Sequence, residues 1–319
     1  MIVYHSFDDI AFDKDTVLTI GTFDGVHRGH TMVLDLLVQR AVERKARNFV
    51  LTFHPHPQVV LQRPDREPIQ LLTTMQERIT LLQAKDIDGV IVIPFSDDFA
   101  SISAEDFVRE ILCKKIGLQH IIIGYDHSFG KGRKGNAVLL EQLGADLGFT
   151  VEQYTSLTYN DETISSTKIR RALKATELGY ANTMLGYPYR VTGKVVSGDG
   201  RGRRLGIPTA NIQPGDVNKL LPHNGVYLVS SLIDGVNVYG MANIGTRPTF
   251  TDDIHPRLEV HFLSFNRALY DKELTVSFLK FIRKERKFES FDLFLSQVFD
   301  DRDVCLDAIE QLEKGQDLS

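Results

Sequence analysis

Ten consecutive residues near the start of the chain have the types and spacing needed to bind an anion. The run G-T-F-D-G-V-H-R-G-H occupies positions 21–30, between an apolar segment and a helical one. A glycine-rich turn there lets backbone N–H groups approach a phosphate, and the helix N-terminus adds favourable partial charge. His27 and His30 are three residues apart, so both can face one anion, with Gly29 leaving room for it. The alternative is a tight turn with two surface histidines.

A second glycine-rich run occupies positions 193–211 and carries five glycines and four basic residues. It is not a P-loop, because it contains no G-K-[ST]. A basic flap of this kind can still bind phosphates through backbone N–H groups. Thr209 and Asn211 are two residues apart and share one side of an extended segment, where their oxygens can reach Mg²⁺ or phosphate. A flexible hairpin loop is the alternative.

Shorter runs add candidates for binding. Ser165 or Ser166 can cap a short helix, near which Lys168 and Arg170 place positive charge suited to a triphosphate. A solvated basic face is the other interpretation of that segment.

Histidines and prolines alternate at positions 54–57. Pro55 and Pro57 hold the backbone extended after a strand end, next to His54 and His56. A plain turn is the alternative.

Two acidic residues belong to predicted strands or the loops after them. Asp126 follows the apolar residues 120–123 and can serve a nucleotide or a flavin. Glu259 lies between Leu258 and Val260 in an apolar segment, where a barrel can aim it inward. An exposed strand glutamate is the alternative for Glu259.

The first half of the chain alternates short apolar strands with amphipathic helices, which predicts a parallel sheet covered on both faces. Ligands of such α/β sheets bind beyond the carboxyl ends of the strands. We predict strands at residues 17–20, 49–53, 90–93 and 120–123, and helices at residues 30–45, 74–85, 103–112 and 136–147.

The pattern changes near Gly186, after which strands follow one another without intervening helices. This predicts a small antiparallel barrel closed by a terminal helix at residues 290–312, with Asp234-Gly235 as a hairpin turn. We therefore predict two domains, residues 1–184 and 185–319.

Composition narrows the class of protein. The 319 residues suit two domains, and 42% apolar with 25% charged residues is typical of a globular protein. A net charge of −5 disfavours a nucleic-acid binder. Two cysteines suit a reducing cytoplasm, and neither a basic leader with an apolar run nor a stretch of about 20 apolar residues occurs.

The 21–30 run resembles the H-x-G-H signature of nucleotidyltransferases. Its fuller form, G-x-F-D-G-x-H-x-G-H, is similar to the adenylyltransferase half of bacterial bifunctional FAD synthetases. Three more runs fit that family in order: F-H-P-H-P at 53–57, G-Y-D-H-S-F-G at 124–130 and I-S-S-T-K-I-R at 164–170.

The second half resembles the riboflavin kinase module of the same family. Its G-x-P-T-A-N motif ends at Asn211, and further runs follow at 222–227, 243–249, 258–261 and 281–288. The resemblance extends from about residue 15 to residue 312. Two positions depart from the pattern: Lys131 to Lys134 is unusually basic, and His54 stands where a variable residue is expected.

The resemblance implies two consecutive reactions. Riboflavin and ATP give FMN in the C-terminal module, and FMN and ATP give FAD and pyrophosphate in the N-terminal one. It implies Mg²⁺ with ATP, small-molecule partners and neither nucleic acid nor membrane, and leaves the oligomeric state open. We also expect a fragment from about Gly186 onward to fold and make FMN.

The resemblance also implies roles for residues in both halves. Glu259 is implied as the base for the riboflavin hydroxyl, and His27 and His30, with Lys168 and Arg170, as cations at the transferring phosphate. Phosphate binding is implied for Gly21, Phe23, Asp24, Gly25, Ser165 and Ser166, and a flavin or nucleotide rim for Asp126, Phe129, His56 and Pro57. In the kinase, ATP is implied to contact Gly193, Lys194, Gly198, Gly206, Pro208, Thr209 and Asn211, the last two also serving the metal. Glu285, in the basic segment that begins at Arg283, can hydrogen-bond the flavin, and a solvated charged face is the alternative for that segment.

Two other functions remain open at this point. The N-terminal nucleotidyltransferase can act on another acceptor, such as a pantetheine phosphate, although such enzymes need no attached barrel. The second alternative function is non-enzymatic, with a barrel that binds flavin or nucleic acid and has a regulatory role. Incubation with riboflavin and Mg-ATP, followed by separation of the flavins, discriminates all three.

Overall fold

The computed structural model describes residues 1–62, 67–125, 127–155, 157–159, 162–198, 206–245, 256–265 and 267–316. Asp126, the basic residues Arg201, Arg203 and Arg204, and the 246–249 part of one kinase-like run lie outside the described residues. The chain forms two compact units, Met1–Ile69 with Met75–Ser165, and Gln70–Thr74 with Ser166–Ser319.

The first unit contains a six-stranded sheet in which every neighbouring pair is parallel. Apolar residues fill its strands, as a sheet covered on both faces requires. The spatial order is β1-β4-β3-β2-β5-β6. The strands are β1 (Ile2–Tyr4), β2 (Thr16–Ile20), β3 (Arg47–His54), β4 (Gly89–Pro94), β5 (Leu118–Gly124) and β6 (Thr150–Tyr154).

Helices cover both faces of this sheet, as predicted. Leu18 and its neighbour Val17 belong to different core clusters because successive strand side chains point to opposite faces. The helices are α1 (Arg28–Arg44), α2 (Pro57–Val60), α3 (Met75–Gln83), α4 (Asp97–Ala100), α5 (Ala104–Asp106) and α6 (Ala137–Leu147). A π-helix, Phe107–Ile116, continues α5, two 3₁₀ turns span Phe7–Asp9 and Lys131–Arg133, and β7 (Thr158–Tyr159) pairs with β8 (Glu162–Thr163).

The strand order determines where a ligand can bind. From β2 the chain proceeds to β3 and β4 on one side, and β5 then returns to the other side of β2. The crevice beyond the carboxyl ends of β2 and β5 is therefore the topological switch point of the sheet. Residues 21–30 follow β2, and residues 125–130 follow β5, so both loops begin at this crevice.

The second unit contains a closed six-stranded barrel in the order β10-β13-β12-β11-β14-β9, antiparallel throughout its pairings. Asp234 and Gly235 have φ values of 50° and 83°, as a two-residue hairpin turn requires. The strands are β9 (Arg190–Val196), β10 (Ala210–Pro214), β11 (Gly225–Ile233), β12 (Val236–Gly245), β13 (Arg257–Phe262) and β14 (Glu273–Lys284).

The two faces of the barrel wall have different neighbours. Leu258 and Val260 of β13 are buried in the barrel interior with Ile244 of β12. On the outer face, Leu228 and Met241 pack against the terminal helix α9 (Phe291–Glu313). The interior is thus filled by apolar side chains, so a ligand of this barrel must bind on its outside.

Two helices and an inserted segment complete the second unit. They are α7 (Ser166–Lys174), α8 (Leu178–Leu185) and Gln70–Thr74. Leu71 N–H donates to the Asn218 carbonyl at 2.7 Å and its own carbonyl accepts from Leu220 N–H at 2.8 Å, while Lys219 Nζ lies 2.5 Å from the Leu72 carbonyl. None of the helices in the described part of the chain combines the length and apolar character needed to span a bilayer.

The packing of α7 and α8 predicts where a separable fragment must begin. Asn182 of α8 donates to the Phe278 carbonyl at 3.0 Å and accepts from Tyr189 N–H at 2.8 Å. We expect residues 166–319 to fold and convert riboflavin to FMN, with a melting temperature at least about 5 °C above that of residues 186–319. Thermal unfolding and flavin assays measure both, and equal melting temperatures would contradict a contribution from the two helices.

Candidate active sites

The loop at the switch point brings its two histidines together. The His27 and His30 rings stack with centroids 3.6 Å apart, and Phe23 lies 5.1 Å from His30. His27 is the N-cap of α1, since its Nδ1 accepts a hydrogen bond from His30 N–H. The spacing of three residues therefore produces the shared face that the sequence predicts.

The backbone of this loop is held in unusual conformations. Phe23, Gly25 and Val26 have φ values of 47°, 85° and 35°, a region that non-glycine residues rarely adopt. Gly21 lies against the Phe23 ring, 3.1 Å from where its Cβ would be. At Gly29 a Cβ would lie 3.3 Å from the His27 ring and 3.9 Å from the Ile164 carbonyl oxygen, so a larger residue would crowd this site.

His30 differs from the expected cation. Burial lowers its pKa well below the ordinary value, and the nearby charges of His27 and Arg78 lower it further. Its Nδ1 is buried and has no hydrogen-bond partner among the residues that the structure describes. The lowered pKa favours the neutral imidazole in the ligand-free fold, whereas the sequence predicts a cation. The role of His30 at a bound phosphate stays a prediction.

Sequence reasoning missed Arg78, which forms an ion pair with the loop. Arg78 of α3 and Asp24 are 2% and 1% exposed, and their closest charged atoms are 3.7 Å apart. Its position four residues before the buried Leu82 was the available signal, because residues four apart share a helix face.

Aromatic rings form a continuous chain near the same end of the sheet, which the sequence alone did not reveal. Phe53 lies 5.7 Å from Phe95 and 5.8 Å from Phe99, and Phe107 joins Phe99 at 5.8 Å to Phe129 at 6.0 Å. The rings meet in tilted or edge-to-face arrangements, and all but Phe95 belong to the apolar core on one face of the sheet. The ring of His127 stacks beside Phe129, the last ring in this series of aromatic contacts.

The residues at 54–57 behave partly as predicted. His56 has extended backbone angles before a proline, but Pro57 is the first residue of α2, because its fixed φ suits the first turn of a helix. His56 is buried and its Nδ1 caps α2 by accepting from Gln58 N–H at 3.1 Å. That nitrogen therefore already has a structural hydrogen bond.

The basic run at 164–170 begins one helix of the second unit. Ser166 is the first residue of α7, with Ser165 immediately before it, and the predicted serine cap stays a prediction. Arg170 Nε donates to the Gln70 carbonyl at 2.6 Å. Lys168 lies on the same helix, so both cations follow the helix N-terminus.

Glu259 lies on the outer face of the barrel, so the expectation that it points inward is wrong. Strand side chains alternate, and the buried Leu258 and Val260 occupy the interior positions of β13. Met241, which packs against α9, is in register with His261 on the same outer face. A partly exposed carboxylate on the outer wall can be reached by a ligand, whereas an interior one could not.

The outer face gathers polar residues around Glu259. Glu259 is in register with Asn211 of β10 on one side and Asn243 of β12 on the other. Thr209 Oγ1 lies 3.5 Å from Glu259 Oε2. At Gly198 any Cβ would collide with the Asn211 amide, so this glycine keeps the space beside the asparagine.

Other predicted phosphate ligands of the barrel have structural neighbours. A Cβ at Gly193 would collide with the Gln213 carbonyl of the adjacent strand, so close strand packing explains this glycine. Lys194 forms an exposed ion pair with Asp271 at 2.8 Å. Gly206 has a φ of 74°, and the Pro208 carbonyl lies 2.8 Å from His261 Nδ1.

Arg283, predicted to contact flavin, is bound within the unit. Its guanidinium forms a two-point ion pair with Asp301 of α9, with N–O distances of 2.8 and 2.7 Å. This pair fixes β14 to the terminal helix. Glu285 lies against Gly245, the last residue of β12.

A parallel α/β sheet with a glycine-rich loop at its switch point, joined to a closed antiparallel barrel, is typical of enzymes that bind nucleotides, and comparison with known proteins identifies the family. The FAD synthetase family model matches residues 9–168, and the riboflavin kinase model matches residues 185–309. Bifunctional riboflavin kinase/FMN adenylyltransferase from Pseudomonas fluorescens is 40% identical over 88% of both chains. The same enzyme from Bacillus subtilis is 35% identical over 94% of both.

A solved structure titled as a macrolide-efflux protein from Streptococcus pneumoniae has the same fold, with 30% identity and a TM-score of 0.84 over 95% of this chain and 98% of that one. The chain belongs to the bifunctional riboflavin kinase/FMN adenylyltransferase family. Its C-terminal part phosphorylates riboflavin to FMN with ATP, and its N-terminal part transfers AMP from ATP to FMN, giving FAD and pyrophosphate. The resemblance, fold class and activity predicted from sequence are confirmed.

Proposed function

We propose that residues 21–30 form the adenylyltransferase site and that the outer barrel face around Glu259 forms the kinase site. The observation that carries the second assignment is the 3.5 Å distance between Thr209 Oγ1 and Glu259 Oε2, with Asn211 in register beside them. A carboxylate, a hydroxyl and an amide on one accessible face match the needs of phosphoryl transfer to an alcohol.

In the kinase half, Glu259 acts as the general base. The terminal hydroxyl of riboflavin is neutral and must lose its proton when its oxygen bonds to the γ-phosphorus of ATP. The bond from that phosphorus to the bridging oxygen of ADP breaks, and the proton passes to the Glu259 carboxylate. Asn211 and Thr209 hold the phosphates beside this carboxylate, while Gly198 leaves the space they require.

Magnesium fits the oxygen atoms of this face. Thr209 and Asn211 offer a hydroxyl and an amide carbonyl, the hard oxygen ligands that Mg²⁺ takes alongside substrate phosphates and water. When bound, the ion would neutralise charge on the ATP phosphates.

The adenylyltransferase half needs no strong base, since the FMN phosphate is already ionised with a second pKa near 6. A phosphate oxygen of FMN attacks the α-phosphorus of ATP, and pyrophosphate leaves. His30 donates a hydrogen bond to the transferring group beside His27, and backbone N–H groups of Gly21, Phe23, Asp24 and Gly25 bind the phosphates. The expectation from sequence that Ser165, Ser166, Lys168 and Arg170 contribute phosphate ligands and positive charge stays a prediction.

We place the candidate flavin site for FMN at the aromatic chain that ends at Phe129, in the loop after β5. Offset stacking on aromatic faces suits the isoalloxazine ring. His56 and Pro57 follow β3, whose last residues include Phe53, and complete the rim. In the kinase, Glu285 contacts flavin, and Arg283 supports β14 through Asp301.

The two cysteines, Cys113 and Cys305, are both free thiols, which supports a reducing compartment. We therefore infer that the enzyme acts in the cytoplasm, and cell fractionation tests this.

Asn211→Asp tests the metal and phosphate face of the kinase. The substitution keeps the size but adds negative charge beside Glu259 and the phosphates and removes the amide donor. We expect riboflavin phosphorylation to fall by at least about 100-fold, the range for loss of one preorganised donor. FAD formation from supplied FMN should persist. Rates are measured across a Mg²⁺ titration, which should raise the residual kinase rate.

Asn237 is the matched control, because it is an exposed asparagine on β12 of the same barrel. Asn237→Asp should leave both rates unchanged. An unchanged kinase rate in Asn211→Asp would remove Asn211 from the site, and equal loss of both activities would indicate misfolding.

A further inference from the structure

The guanidinium of Arg78 is among the most deeply buried charges of the first unit. Its side chain is 2% exposed, and it projects from α3, outside the glycine-rich loop. A buried guanidinium is costly unless charged and polar partners compensate it. The partners of Arg78 therefore indicate why α3, whose buried residues are Glu77, Arg78 and Leu82, carries an arginine on its buried face.

Asp24 and Thr52 are partners of the Arg78 guanidinium, and each connects it to the loop at residues 21–30. Arg78 Nη2 lies 3.7 Å from Asp24 Oδ1, in the middle of the loop. Arg78 Nη1 lies 3.4 Å from Thr52 Oγ1, whose hydroxyl donates to the Thr22 carbonyl at 3.2 Å. The Arg78 side chain thus supports the loop at two points. It contacts Asp24 directly, and it reaches the Thr22 carbonyl through Thr52 of β3.

The loop needs such support because its backbone is strained. Phe23 and Val26 flank Asp24 and Gly25 with φ values of 47° and 35°, and a β-branched residue such as Val26 rarely adopts that region. Conformations of this type persist only where the surroundings over-determine them. Asp24 is the charged residue between these two positions, and Arg78 is its ion-pair partner.

We propose that Arg78 is a positioning residue for FMN adenylylation, which holds residues 21–30 from α3 in the conformation that aligns His27 and His30. This inference rests on the proposed role of the loop. The charge of Arg78 has a second consequence, since it contributes with burial and His27 to the lowered pKa of His30. Arg78 therefore acts on both the position and the neutral state of that imidazole.

Arg78→Met tests the proposal, since methionine fills part of the same space without charge. We expect kcat for FAD formation to fall about 100-fold per folded molecule, the cost of displacing reacting groups by about 1 Å. KM for FMN and ATP should change by less than about threefold. A misaligned loop would weaken the contacts made in the transition state more than the contacts that bind the substrates in the ground state. Arg78→Lys keeps the positive charge but loses the planar guanidinium that can contact Asp24 and Thr52 together, so it should give an intermediate kcat.

Leu82→Ala provides the control for stability alone. Leu82 is a fully buried residue of the same helix, and its truncation leaves a cavity without removing the ion pair. Rates are measured below the melting temperature of each variant, with riboflavin phosphorylation in the same molecules as an internal reference. Leu82→Ala should lower the melting temperature and leave kcat unchanged.

The proposal is overturned if Arg78→Met keeps kcat within threefold of the unaltered enzyme, or if Leu82→Ala loses as much. Should Arg78→Met fail to fold, the kcat of Arg78→Lys decides by the same threefold criterion. His30→Ala separates the two levels of the argument. If FAD formation is slow in His30→Ala but normal in Arg78→Met, only the role of Arg78 is refuted. If FAD formation is normal in both variants, the proposed site at residues 21–30 is refuted.

Discussion

Glu259→Gln is expected to slow riboflavin phosphorylation by about 100- to 10,000-fold, the usual cost of losing a general base. Glutamine preserves the shape of the side chain and its position beside Thr209 on the outer barrel face, but it cannot accept the hydroxyl proton. FMN adenylylation should continue, because its acceptor is already ionised and its proposed site lies in the other unit. Initial rates from riboflavin and from FMN measure both steps.

Glu273→Gln is the matched control, since Glu273 is an exposed glutamate on β14 of the same barrel. It should leave both rates unchanged. Riboflavin binding to Glu259→Gln, followed by flavin fluorescence, should be nearly normal. A normal phosphorylation rate in this variant would exclude Glu259 as the base.

His30→Ala is expected to reduce FAD formation from FMN by about 100-fold or more, the range for loss of one preorganised donor. The imidazole is buried and stacked on His27, and its lowered pKa favours the neutral form, so we expect it to contribute a directed hydrogen bond to the transferring group. Riboflavin phosphorylation should hardly change. His30→Asn, which retains a donor, should recover part of the rate.

The control for His30 is His5→Ala, an exposed histidine in the same unit. It should behave as the unaltered enzyme in both assays. An FAD-forming rate within threefold of normal in His30→Ala would remove His30 from the proposed site.

Much of the fold could be predicted from the chain because local signals agree with the final structure. Three helices begin where the sequence predicts them, and Ser103, Asn136 and Ser290 cap them, each accepting from the backbone N–H three residues later. The sequence did not predict strands β1, β6 and β10. β1 is only three residues long, β6 has no buried residue and β10 buries only Ile212, so none has the run of at least about four apolar residues that identifies a buried strand.

The sites could be predicted where a continuous run of residues forms them, as at 21–30 and 193–211. Contacts between distant segments could not. Arg78 reaches Asp24 across more than fifty residues, and the aromatic chain joins residues of a strand, two helices and two loops. The orientation of Glu259 depends on strand register within a closed barrel, and the lowered pKa of His30 depends on its burial. Each of these arises from tertiary packing, which no local pattern encodes.

The central claim is that two separate sites in one chain perform the two steps, and the most direct test compares both initial rates in Glu259→Gln and His30→Ala. The account predicts opposite losses: Glu259→Gln fails to make FMN from riboflavin but converts supplied FMN to FAD, while His30→Ala makes FMN and fails to convert it. Parallel losses of both rates in either folded variant would contradict the claim.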